Sequence, residues 1–204
     1  MGKREDNKRR TEQRILDAGI RLLGGEGGEK VTVQDIADAA GVSRATFFNY
    51  FDSKNDIATA FGRRQREWVE SYSEALPEDM TIVDKVLTVL RADIDRVYNY
   101  LGNQRFARYL MTAIFNNEKM VRSEIANWGE LAQVYRRILE EGQVKGEVPA
   151  SLDANQVAHI IVELYFSAQL MFLFSDTGAQ ECFELIEQRV NLLLAGVGLS
   201  VKKT

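Results

Sequence analysis

The chain has 204 residues and a formal net charge of −4. That is length for one large domain or two small ones, and the total argues against a surface made uniformly basic for nucleic acid. The average hides a division: residues 1–64 carry 12 Lys/Arg against 10 Asp/Glu, and residues 65–204 carry 14 against 20. With 45% hydrophobic and 27% charged residues the chain can bury a core and lacks a disordered composition. A single cysteine, Cys182, excludes an internal disulfide and suits a reducing compartment. With His159 as the single histidine, neither a His/Cys zinc site nor a nucleophile–base–orienter set can be assembled. The charged start Met1-Gly2-Lys3-Arg4-Glu5-Asp6 does not read as a signal peptide. The most apolar run, Leu164 to Phe174, is broken by Ser167 and Gln169 and is about half a membrane span. These features lead to the expectation of a soluble cytoplasmic protein with no membrane association, no metal, no cofactor and no enzyme activity.

Apolar spacing is helical almost throughout, and the two prolines, Pro77 and Pro149, fall at joints. Leu16, Ile20 and Leu23 mark a first helix that stops at the glycine-rich run 24–28. Val33, Ile36, Ala37 and Ala40 form the stripe of a short second helix, with Thr32 as N-cap and Asp35 as its capping-box partner. Gly41 ends it, and Ser43 opens a third helix from Arg44 to about Phe51. Ser53 and Asp56 cap a fourth, reaching about Leu76. Val83, Val86, Leu87, Leu90, Ile94, Val97, Tyr98 and Leu101 form the next stripe. After Gly102-Asn103, Phe106, Tyr109, Leu110 and Ala113 mark another. Val121, Ile125, Trp128, Ala132, Tyr135 and Leu139 follow, closed by Gly142 and Gly146. Asp153 caps a helix reaching Phe174, and a last one runs from about Ala179 to Gly198. No alternating strand pattern occurs, so the fold class is all-α, with about nine helices.

Two short helices joined by Gly41-Val42-Ser43 have the proportions of a helix-turn-helix, whose turn needs a residue tolerant of positive φ. Phe47 and Phe51 give the second of them a buried face and leave Arg44, Ala45, Phe48, Asn49 and Tyr50 around the rest. Arg can bond guanine bidentately and Asn can do so to adenine. Tyr50, Lys54 and the Thr32-capped helix start suit phosphate oxygens.

The run Thr11 to Phe61 resembles the TetR family of bacterial transcription regulators. The resemblance rests above all on Val31-Thr32-Val33-Gln34-Asp35-Ile36-Ala37, on Ala40-Gly41-Val42-Ser43-Arg44-Ala45-Thr46-Phe47-Phe48-Asn49-Tyr50-Phe51 and on Ser53-Lys54. It implies that the helix opened by Ser43 enters the major groove. Arg44 and Ala45 would then face bases, and Thr46, Tyr50 and Lys54 would meet phosphates. Thr32 and Gln34 would approach the backbone or a base edge. The chain departs from the family at Phe48, where a tyrosine hydroxyl is usual, and at Asn49, where a larger or basic residue is common. The domain organisation expected is a flexible basic arm over 1–10, a helix-turn-helix domain over 11–56 and a ligand-binding and dimerisation domain over 57–204. The helix 53–76 would link the two domains.

In the body, Val157, Ile161, Leu164, Ala168 and Met171 repeat three and four apart. Phe183, Ile186, Val190, Leu193 and Val197 do the same in the last helix. Each helix also carries a second apolar face, Ile160, Phe166, Leu170 and Phe174 in one and Leu185, Leu192 and Leu199 in the other. Helices apolar on two sides are buried on two sides, so a homodimer through a four-helix bundle is expected, with the heptad positions as its interface. Tyr98, Phe106, Tyr109, Met111, Phe115, Trp128, Tyr135 and Phe166 are candidates to line an apolar effector pocket. The reading is a ligand-responsive DNA-binding regulator, a repressor on analogy. It would bind a palindromic double-stranded operator as a dimer and be released by a small apolar effector. The rivals are a DNA-binding protein of the same fold without ligand sensing, and a small-molecule-binding protein that no longer binds DNA.

Overall fold

The computed structural model describes residues 2–101, 104–173 and 178–199. Among the described residues there are nine α-helices, one 3-10 turn at Gly28–Lys30 and no strand. The helices are α1 Lys3–Leu23, α2 Val33–Ala39, α3 Arg44–Phe48, α4 Asp56–Glu74, α5 Ile82–Leu101, α6 Gln104–Phe115, α7 Glu118–Lys145, α8 Ala154–Leu173 and α9 Ala179–Gly196.

Local chemistry accounts for most of these boundaries. Thr32 Oγ1 accepts from the Asp35 amide at 3.2 Å while the Thr32 amide donates to Asp35 Oδ2 at 2.8 Å, a complete capping box on α2. Ser43 Oγ accepts from the Thr46 amide at 3.0 Å and caps α3. The Gln156 amide donates to Asp153 Oδ1 at 3.0 Å and starts α8. Such a cap contributes about 1 kcal/mol. Gly41 takes φ +64°, the left-handed conformation that the turn between α2 and α3 needs.

The chain divides into two compact units, residues 1–64 with 100–124 and residues 65–99 with 125–204. In the first, Ile15, Leu16, Ile36, Ala37, Phe47 and Ile57 are fully buried and lock α1 to α4 around one core. At about 1.5–3 kcal/mol each, such side chains outweigh the intrinsic propensity of helices as short as α2 and α3. The helix α6 packs on α1, closely enough that a Cβ at Gly24 would lie 2.9 Å from Phe106 Cβ. In the second unit α5, α7, α8 and α9 enclose a core that includes Leu90, Ile94, Leu139, Ile161, Ile186 and Val190.

Four features differ from the sequence reading. Residues 3–10, expected as a flexible arm, begin α1; no breaker interrupts them, and Glu5 and Asp6 in the first turn complement the helix dipole. The helix α3 ends at Phe48 rather than about Phe51. Residues 57–64 and 100–124 join the unit of the helix-turn-helix, because Phe106, fully buried beside the Phe61 ring at 5.6 Å, packs there and not in the body. Finally, Val157, Ile161, Ala168, Phe183, Ile186 and Val190, expected at a dimer interface, are buried within their own unit. Six of the ten heptad positions thus lie on the packed side of α8 and α9, and a residue covered by its own fold presents no surface to a second copy. Leu164, Leu193 and Val197 are half-buried and Met171 is 53% exposed. On the other faces Ile160, Leu170 and Leu185 are half-buried and Leu192 is 75% exposed, whereas Leu199 is buried. Gly102, Asn103 and Phe174 lie outside the described residues.

Candidate nucleic-acid interface and a polar cluster in the body

Seating Phe47 in the core fixes which side of α3 meets solvent: Arg44, Ala45, Phe48 and Asn49 are all exposed. The Arg44 guanidinium lies 5.7 Å from the Phe48 ring centroid, and the Phe47 ring meets the Phe48 ring edge-on at 5.6 Å. One solvent-facing surface thus holds a bidentate donor, a methyl group, a phenyl ring and an amide, which is base-reading chemistry. Ser43 and Thr46 are engaged with each other, their hydroxyls 2.8 Å apart. The Thr32 hydroxyl donates to Asp35 Oδ2 at 2.7 Å, which holds that carboxyl below the usual range. Gln34 Nε2 donates to Asp38 Oδ1 at 2.8 Å on the exposed side of α2. Tyr50 is half-buried beyond the end of α3.

Lys54, expected at a phosphate, is engaged within the fold. Its Nζ donates to Glu29 O at 2.9 Å and to Val31 O at 2.7 Å. Two of three ammonium protons are committed to carbonyls at the 3-10 turn and the approach to α2, so the lysine ties the segment before α4 to the helix-turn-helix. Sequence spacing could not reveal this, since the partners are 25 and 23 residues away.

The expected pocket residues divide between the two units. Phe106, Tyr109, Met111 and Phe115 belong to the first unit, and Trp128, Tyr135 and Phe166 to the second. The Tyr98 side chain lies outside the described ones. Tyr109 donates its hydroxyl to Asn55 Oδ1 at 2.8 Å, and burial raises its pKa. Phe115 is 63% exposed. Trp128 and Phe166 do stack, 4.3 Å between centroids. A cleft of about 380 Å³ in the second unit is lined by none of the eight. Tyr72, Arg91 and Phe183 wall it, with Asp84, Asp95 and Glu187 adding carboxylates.

The unexpected feature of the body is a buried polar cluster around Asp93, which is 2% exposed. Gln65 Nε2 donates to Asp93 Oδ1, and the Tyr165 hydroxyl donates to the same carboxyl. Arg96 Nε donates to Gln65 Oε1 at 3.0 Å, its guanidinium 4.6 Å from the Trp68 ring centroid. Gln169 Nε2 donates back to the Tyr165 hydroxyl at 2.5 Å. Burial pushes the Asp93 pKa up against the pull of these hydrogen bonds and of Arg96, and it pushes Tyr135 and Tyr165 well above the ordinary phenol range. The Tyr135 hydroxyl, fully buried in the field of Asp93, has no hydrogen-bond partner among the described residues. Leaving a buried hydroxyl without a partner costs about 1–3 kcal/mol. Asp93 sits three residues after Leu90 and four before Val97. A carboxylate at that place on an apolar stripe is the signal that could have disclosed the cluster.

His159, half-buried on α8, has Nδ1 2.8 Å from Asn155 O, and Cys182 is buried with its thiol directed at Ala168 O. Among the described residues no group of three His, Cys, Asp or Glu could hold a metal ion, and no helix is long and apolar enough to cross a membrane.

Comparison with known proteins adds three findings. The profile of "Bacterial regulatory proteins, tetR family" matches residues 15–61, which are α2, α3 and the parts of α1 and α4 that pack on them. The fatty acid metabolism regulator protein of Bacillus subtilis is 26% identical over 196 residues, covering 93% of this chain and 97% of that protein. Two solved structures share the fold at 22% identity. Thermus thermophilus FadR, a transcriptional repressor in complex with lauroyl-CoA, has TM-score 0.71 and covers 95% of this chain and 97% of its own. FadR from Bacillus subtilis in complex with stearoyl-CoA has TM-score 0.70 and covers 91% and 98%.

Proposed function

We propose, because the chain belongs to the TetR family of bacterial regulatory proteins and is a DNA-binding transcription regulator rather than an enzyme, that it acts as a homodimeric repressor of a palindromic operator and is released by an apolar small molecule. The observation that carries the reading is the exposed face of α3, where Arg44, Ala45, Phe48 and Asn49 meet solvent while Phe47 anchors the helix. Five residues of helix cannot supply useful affinity alone. Two copies related by a twofold axis, reading half-sites one helical turn apart, can. The exposed Met171 and Leu192 support α8 and α9 as the pairing surface, and the small net charge of residues 1–64 fits affinity built from paired sites rather than bulk charge.

The Asp93 cluster supports effector binding in the body, with Tyr135 offering a hydroxyl to a polar group of the ligand. The acyl-CoA complexes of the two structural relatives make fatty acyl thioesters, apolar in the acyl chain and anionic in the CoA moiety, the first class to test. The helix α4 runs unbroken past residue 64, where the two units divide, and gives a change in the body a covalent route to the reading head. Coupling of this kind commonly amounts to about 1–3 kcal/mol.

Selecting duplexes from a random pool tests the reading. The expected product is a palindrome bound with strong salt dependence, on which Arg44→Ala costs about 1–3 kcal/mol and relaxes sequence preference. Lauroyl-CoA or stearoyl-CoA should then weaken binding by about 5–150-fold. A pool without enrichment refutes DNA recognition. An enriched palindrome whose binding ignores both thioesters refutes the effector class alone.

A further inference from the structure

Phosphate chemistry does not account for Phe48. Its phenyl ring is 44% exposed on the base-reading side of α3, beside the hydrogen-bonding groups of Arg44 and Asn49. A phenyl ring can bond neither a phosphate oxygen nor a base edge. It is also held in place: the Phe47 ring meets it edge-on at 5.6 Å from inside the core, and the Arg44 guanidinium, one helical turn before, lies 5.7 Å from its centroid. An oriented apolar ring beside a guanidinium is matched, in a major groove, by a thymine methyl next to a guanine edge. Among the four bases only thymine carries an apolar group there. Ala45, the other exposed apolar side chain of α3, ends at a single methyl and offers far less contact area.

We propose that Phe48 is a specificity-determining residue that selects thymine in each half-site by packing on its 5-methyl group, beside the base pair read by Arg44. The inference rests on the DNA-binding reading and adds to it a base identity and the group that enforces it. Burying one methyl group corresponds to about fourfold in affinity per half-site, hence about fifteenfold for a symmetric operator bound by two copies.

The test replaces thymine by uracil, which removes the methyl group and keeps every hydrogen-bonding atom. Duplexes enriched from a random pool by the full chain are resynthesised with uracil at each symmetric pair of thymines in turn. The full chain should lose about fifteenfold at one pair and little at the rest. Phe48→Ala should bind the thymine and uracil duplexes equally while keeping the guanine preference that Arg44 supplies. If no uracil pair weakens the unmodified protein, the proposal is overturned without any variant. If Phe48→Ala folds and still discriminates the methyl group, it is overturned as well. Phe48→Leu should keep part of the discrimination; its complete loss there would exclude methyl packing and overturn the proposal. A pool that enriches nothing would instead remove the parent reading.

Discussion

Replacing Lys54 by methionine keeps the length of the side chain and deletes the ammonium. Two hydrogen bonds are lost, to Glu29 O at 2.9 Å and Val31 O at 2.7 Å. Hydrogen bonds to a charged group are each worth about 1.5–3 kcal/mol net. One half-buried ammonium makes both, so the expected loss is about 2–4 kcal/mol rather than their full sum. For a chain of this length that lowers Tm by roughly 5–15 °C, read by thermal unfolding and by the urea midpoint at constant slope. The second readout is the dependence of operator affinity on salt. A lysine that neutralises a phosphate contributes about one to the slope of log affinity against log salt, whereas a lysine that braces the fold leaves that slope unchanged. Lower stability and an unaltered slope are expected for Lys54→Met. A Lys54→Met protein as stable as its parent, with its slope reduced by about one, would refute it and restore the phosphate contact.

Two further outcomes test the body. Burial raises the folded-state pKa of Asp93 above its unfolded value, so the folded chain binds that proton more tightly. Stability from this group is therefore greatest at low pH and is lost as pH rises through the folded pKa. Asp93→Asn removes the titration, so urea unfolding from pH 4 to 8 should show the variant gaining on the parent as pH rises; a pH-independent difference would sink the assignment. Met171→Glu combined with Leu192→Glu places charge on exposed apolar positions of α8 and α9. Sedimentation should report monomers with little loss of monomer stability, and operator affinity should fall with the dimer. An unchanged dimer would place the pairing surface elsewhere.

The local parts of the fold were legible in the sequence because their chemistry is local. Thr32 with Asp35, Ser43 with Thr46 and Asp153 with Gln156 are contacts three residues apart, so a cap can be read from spacing alone. The positive φ of Gly41 and the buried Phe47 follow from the turn they serve, and with them the exposed face of α3. These determined the all-helical class, the helix-turn-helix and the family resemblance. Periodicity then reaches its limit, since it shows that a helix has an apolar face without saying what covers it. On α8 and α9 two apolar faces competed, and only packing revealed that Ile161 and Val190 face inward while Met171 and Leu192 look out. The position of α6 against α1, the Lys54 brace to Glu29 and Val31, and the Asp93 cluster drawn from Gln65, Arg96 and Tyr165 join residues far apart in the chain. Burying a charge or a hydroxyl is tolerated only when the assembled fold supplies its partners, and those partners are chosen by tertiary structure.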